Sequence, residues 1–147
     1  MNKIFSLLIF FSFSTTIFAQ SKNDEAVKTV LKNYKTKIEQ LDTIGISNLF
    51  LKKSNVYENG GSEGTISHYL EHHLGPELKD FKSFNFNNYK IDVQVDGNYA
   101  FTTESYNYVI VLAKNNTEIK RNGIATSVLK KTNGEWKIIN THSSSRK

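Results

Sequence analysis

The chain has 147 residues, no cysteine and a formal net charge of +5. That length holds one core but not two domains, and the absence of cysteine excludes disulfides, thiol nucleophiles and cysteine-held zinc or iron–sulfur centres. Its basic residues are scattered among acids and form no block interleaved with aromatics, so a nucleic-acid partner is not expected.

Residues 1–20 have the pattern of a signal peptide. Lys3 gives a positive start, Ile4–Phe13 is an apolar run too short to span a bilayer, and Ser14–Ala19 supplies a cleavage region. Cleavage after Ala19 is expected, leaving an exported chain, periplasmic or secreted, whose single domain occupies residues 21–147. No cysteine follows to carry a lipid, so no stable membrane anchor is expected after cleavage.

An amphipathic helix is expected over Ser21–Leu41. Val27, Val30, Leu31, Tyr34, Ile38 and Leu41 recur at steps of three and four, Ser21 or Asn23 can cap it, and Asp24 and Glu25 suit its first turn. A second short helix is expected over Asp42–Leu51, then a strand over Asn55–Glu58 and a turn at Asn59-Gly60-Gly61. The next stretch holds three of the four histidines, His68, His72 and His73, on a short helix that Gly75-Pro76 should stop.

From Phe84 the period becomes two. Tyr89, Ile91, Val93 and Val95 alternate with polar residues, and Asp96-Gly97 reads as a hairpin turn. Tyr99–Ala113 is long for a strand and must bend. Asn115-Asn116 turns the chain into Thr117–Lys131, where Asn122-Gly123 suggests a bulge. Asn133-Gly134 leads to a last strand, Glu135–His142, and a polar tail. Helices followed by a meander of long strands give an α+β fold, with helices packed on a strongly curved antiparallel sheet. The crevice between them is the natural pocket for a small molecule or ion.

Four segments carry a family resemblance: Val56–Gly60 (VYENG), Tyr69–Leu78 (YLEHHLGPEL), Ala125–Lys130 (ATSVLK) and Gly134–Arg146 (GEWKIINTHSSSR). The chain resembles exported bacterial members of the nuclear transport factor 2-like (NTF2-like) superfamily, in its SnoaL-like or DUF4440 group. The resemblance implies a cone-shaped α+β domain, commonly a homodimer, used by isomerases, cyclases, dehydratases and non-catalytic binding proteins. In that group the chain end reads close to His-x-His-Trp-Ser-Ser-Arg. Here Asn140 and Ser143 stand in place of the first histidine and the tryptophan, so only His142 of the histidine pair is kept.

The residue chemistry centres on His73 and His142. His72 and His73 point about 100° apart on a helix, whereas Tyr69 lies one turn before His73 on the same face. Glu77 lies four residues beyond His73, but Pro76 makes helical spacing there untrustworthy. Strict alternation puts Trp136, Ile138, Asn140 and His142 on one face of the last strand. His73 and His142 are then expected to meet across the cavity beside Tyr69 and Asn140. With Glu58 or Glu63 they would offer ligands suited to a transition metal. Without metal, either histidine beside a carboxylate would be a general base, with Tyr69 as donor. No fixed-spacing metal or catalytic motif supports either reading, and non-catalytic binding is the leading expectation. Gly60–Gly64 fits the form G-x-S-x-G, but a meander of tight hairpins is the wrong frame for a nucleophile elbow. The many aromatics suit a pocket lining and an apolar outer sheet face for a homodimer.

Overall fold

The computed structural model describes the backbone of residues 9–147 and side chains from Lys22 onward. The expected leader, residues 1–20, therefore lies outside the described side chains, and residues 1–8 lie outside the description altogether. Helix α1 spans Ile9–Glu39. Its stripe is as expected: Val27, Leu31, Tyr34 and Ile38 are buried, and Val30 and Leu41 pack against the same core. Fully burying one such side chain contributes about 1.5–3 kcal/mol. Because the helix runs back through Ser21, neither Ser21 nor Asn23 caps it; such a cap requires a helix that begins there.

The second helix shrinks to a 3₁₀ turn, Ile46–Leu49. Asp42 accepts a hydrogen bond from the Ile44 N–H at 2.8 Å, and Gly45 adopts φ 82°, which together break helical continuation. Strand β1 then covers Phe50–Glu58 and hairpins into β2, Gly61–Gly64. The histidine-bearing segment is one helical path in three parts: α2 (Ile66–Tyr69), a π turn (Leu70–Leu74) and α3 (Gly75–Lys79). Gly75-Pro76 does not stop it. The π turn joins the Gly75 N–H to the Leu70 carbonyl and puts Pro76 in the first turn of α3, where its missing N–H removes no bond.

Strands β3 (Phe81–Asp96), β4 (Tyr99–Leu112), β5 (Glu118–Thr132) and β6 (Glu135–Arg146) form the meander. The six-stranded sheet has the order β2-β1-β6-β5-β4-β3. It is mixed, because β1 runs parallel to β6 while every other pair is antiparallel. The long path from β2 through β5 is the crossover that a parallel pair needs. Ile91, Val93 and Val95 share the inward face, and Trp136 and Ile138 are buried.

Two local expectations change. Asn122-Gly123 stays in register with both neighbouring strands. Gly123 instead makes room for a ring: an added Cβ would lie 2.2 Å from Tyr106. The bulge lies further on, where Leu129 pairs with Ile138 and Val128 with Asn140, leaving Ile139 as the extra residue. The anticipated polar tail is also strand, since β6 continues through Arg146 against β5.

Candidate functional site

The bulge at Ile139 decides which residues meet. Trp136 and Ile138 point inward, and one extra residue reverses the phase so that Thr141 is buried while His142 is exposed. Asn140 and His142 consequently line a groove on the outer sheet face with Tyr57, Asp92, Phe101 and Thr126. His73 and His142 do not meet: strict alternation fails at one residue. Trp136 is in the core rather than on the cavity wall, and its indole N–H has no partner among the described residues.

Between the helices and the inward face of the sheet lies a cavity of about 370 Å³. Its wall is largely aromatic and aliphatic, with Tyr34, Phe81, Phe84, Phe86, Tyr106, Tyr108, Ile110 and Ala125. The rings pack on one another, Phe84 against Phe86 at 4.8 Å and Tyr108 at 5.2 Å, and Phe86 edge-on to Tyr106 at 5.1 Å. Its polar groups include Lys35, Glu58, Tyr69, Glu77 and Arg121, and Ser145, which accepts from the Tyr108 hydroxyl at 3.0 Å.

Glu58 ends β1 just before the left-handed Asn59, and the Tyr69 hydroxyl donates to it at 2.7 Å. Burial pushes the Tyr69 phenol well above its ordinary pKa, with nearby Tyr34 and Glu58 adding to it, so it remains a donor. His73 follows one turn later, its ring 5.2 Å from that of Tyr69. His73 Nδ1 is 2.8 Å from Glu63, and Nε2 is 3.2 Å from Glu77 and 3.8 Å from Glu58. Since the π turn carries the helix onward, the four-residue spacing to Glu77 does work. Burial opposes charging of His73, but the Glu63 hydrogen bond and the Glu77 and Glu58 charges outweigh it and raise its pKa. Glu77 is raised too, by burial first and by the Glu58 charge, against the pull of His73. His73 is not on the cavity wall; Glu58, Tyr69 and Glu77 stand between. Both of its nitrogens face carboxylates, and among the described residues no group of three metal-binding side chains is arranged to hold an ion.

Sequence reasoning missed a second ionic group inside the cone. Lys35 Nζ lies 3.8 Å from Glu104, and both side chains are buried. It also lies 4.4 Å from the Tyr106 ring centre, 5.0 Å from Phe86 and 5.7 Å from Tyr34. Tyr89 donates a short hydrogen bond to Glu104. Burial pushes the Lys35 pKa down, against the opposing charges of Glu104 and Glu58. The signals were present: Lys35 continues the Val27, Leu31 step of four, and Glu104 shares the inward phase of Ala100, Thr102 and Tyr106.

The sequence pattern of a SnoaL-like domain matches residues 27–146. The chain belongs to that family. Its fold resembles an NTF2-like superfamily protein from Salmonella enterica at 21% identity and TM-score 0.76, covering 86% of this chain and 93% of that one. It also resembles a hexachlorocyclohexane dehydrochlorinase from Novosphingobium barchaimii, at 11% identity and TM-score 0.71, covering 87% and 89%. At those identities the likeness is one of fold. No curated protein matches the chain.

Proposed function

We propose that this SnoaL-like domain binds a small molecule with an aromatic or otherwise apolar body and a polar group. The observation that carries this reading is the cavity of about 370 Å³ between helices and sheet, lined by an aromatic cluster and by polar groups that include Lys35, Glu58 and Tyr69. Ligand-observed NMR with a panel of aryl alcohols, phenols and aryl ketones tests it. Binding should be lost in Ala125→Leu, which fills the cavity, and in Ile110→Trp, with circular dichroism verifying that each variant folds. Binding unchanged in both folded variants overturns the reading.

The Glu58–Tyr69 pair favours a second reading, a proton-transfer enzyme of the isomerase or dehydratase kind. Glu58 on the cavity wall supplies a base, and the Tyr69 hydroxyl, donating to it at 2.7 Å, holds that carboxylate in place. Glu58, rather than His73 or His142, is then the base, and His73 is a positioning residue behind it. Exchange of a bound aryl ketone's α-hydrogens with deuterium, lost in Glu58→Gln, separates this from binding alone.

The reading also places the domain outside the cytoplasm, on the strength of the leader pattern, as an exported, DUF4440-related member. It places a homodimer contact on the outer sheet face, where Tyr57, Tyr99, Phe101 and Ile124 are exposed. Sedimentation of the unaltered chain and of Phe101→Glu tests the dimer; a monomer in both excludes it.

A further inference from the structure

We propose that Lys35 is a nucleophilic amine that captures an aldehyde or ketone in the cone cavity as an imine. The inference rests on the cavity-binding reading and narrows its ligand to a carbonyl compound with an apolar body. Lys35 lines the cavity, yet its side chain is buried. Its nearest carboxylate oxygen, on Glu104, is 3.8 Å away, beyond hydrogen-bond reach. Three aromatic rings within about 6 Å of Nζ offer a cation–π contact that offsets part of the cost of charge but supply no hydrogen-bond acceptor of ordinary strength. An ammonium has three donors and no lone pair; buried without acceptors, it is disfavoured against the neutral amine. The lowered Lys35 pKa agrees with that geometry.

A neutral amine beside an apolar cavity has one distinctive reaction with small organic molecules. Its nitrogen adds to a carbonyl carbon, forming a C–N bond, and the carbonyl oxygen leaves as water with the two amine hydrogens. The product is an imine and nothing is oxidised or reduced. Glu104, whose carboxylate accepts from Tyr89, is the acid nearest the amine. The aromatic wall suits the body of an aryl or unsaturated carbonyl compound.

The test uses the unaltered chain, cinnamaldehyde as probe, and cyanoborohydride, which delivers hydride to the imine carbon and fixes the adduct. Peptide mass spectrometry at neutral pH should show Lys35 modified about tenfold or more faster than exposed Lys52 and Lys53, as expected for a buried amine whose neutral fraction is raised beside a cavity that holds the aldehyde. Cinnamyl alcohol, which fits the same cavity but forms no imine, should suppress the Lys35 adduct and leave surface labelling unchanged. Lys35→Met should lose the fast adduct, with circular dichroism verifying that the variant folds. If the alcohol binds in the cavity but Lys35 labels no faster than Lys52, imine capture is wrong and cavity binding stands. If the alcohol fails to bind and Lys35 is not labelled, both fail.

Discussion

The group inside the cone and the one at its rim both set a basic side chain against glutamate, in opposite surroundings. Lys35 and Glu104 are buried beside aromatic rings, and the amine nitrogen lies 3.8 Å from the carboxylate. At the rim, His73 has carboxylates on both nitrogens, and every member keeps solvent contact, from 21% for the Glu63 side chain to 49% for Glu77. Inside, burial works against charge on Lys35, with Glu104 and Glu58 opposing it. At the rim, protonation can follow pH at small energetic cost. The first arrangement suits chemistry on a bound molecule, and the second suits holding helix and hairpin together.

The comparison is broken most severely by removing the buried acid. Glu104→Ala leaves Lys35 without its carboxylate and Tyr89 without its acceptor. Losing that hydrogen bond to a buried carboxylate should cost about 1.5–3 kcal/mol by urea unfolding. A loss under about 1 kcal/mol, as for an exposed pair, would mean that the interior is wet and the contrast with the rim is false.

Gly123→Ala acts on the same interior through packing alone. Its Cβ would meet the Tyr106 ring at 2.2 Å, and that ring is the nearest aromatic face to Lys35. A cost of about 1–3 kcal/mol is expected from the forced shift. Slower Lys35 labelling in this variant would tie the cage to the amine's reactivity.

The contrast also explains what was legible in the sequence. The α1 stripe, the β3 alternation and the turns at Asn59, Gly97 and Gly134 are set by short-range chemistry, and each is where the sequence puts it. His142 was misplaced because a bulge is specified by two strands in register, and β6 alone carries no mark of the extra Ile139. The π turn misled in the same way, since Pro76 breaks a helix only if the preceding turn is regular. Lys35 and Glu104 were overlooked because a charged residue on an apolar stripe normally lies beside the core. Here a cavity and an opposing strand hold it within.

Tyr69→Phe probes the seam between the two groups, since Tyr69 lines the cavity and donates to Glu58. Losing that bond to a carboxylate should cost about 1.5 kcal/mol in urea unfolding, the low end for a charged acceptor because Glu58 keeps solvent contact. If the proton-transfer reading holds, exchange of a bound ketone should fall further than binding does. Equal losses in both would make Tyr69 a binding contact only.

The smallest effect belongs to the rim, and its pH dependence identifies it. The folded-state pKa of His73 lies above its ordinary 6.5. Its contribution is therefore complete below that ordinary value and fades as pH rises through the raised one. Glu77, also raised, contributes in the same direction but from lower pH, complete below its ordinary 4.5 and lost as pH rises through its folded value. Solvent contact at the rim holds the His73 share to about 0.2–1 kcal/mol. Urea midpoints of the unaltered chain should thus decline as pH rises above about 6.5 and His73 loses its proton. In His73→Gln that decline should vanish. Glu77, no longer facing a cation, should titrate still higher than before, and the remaining slope should reflect it. An equal decline in both proteins over that window would show that His73 is not the charge that balances Glu58, Glu63 and Glu77.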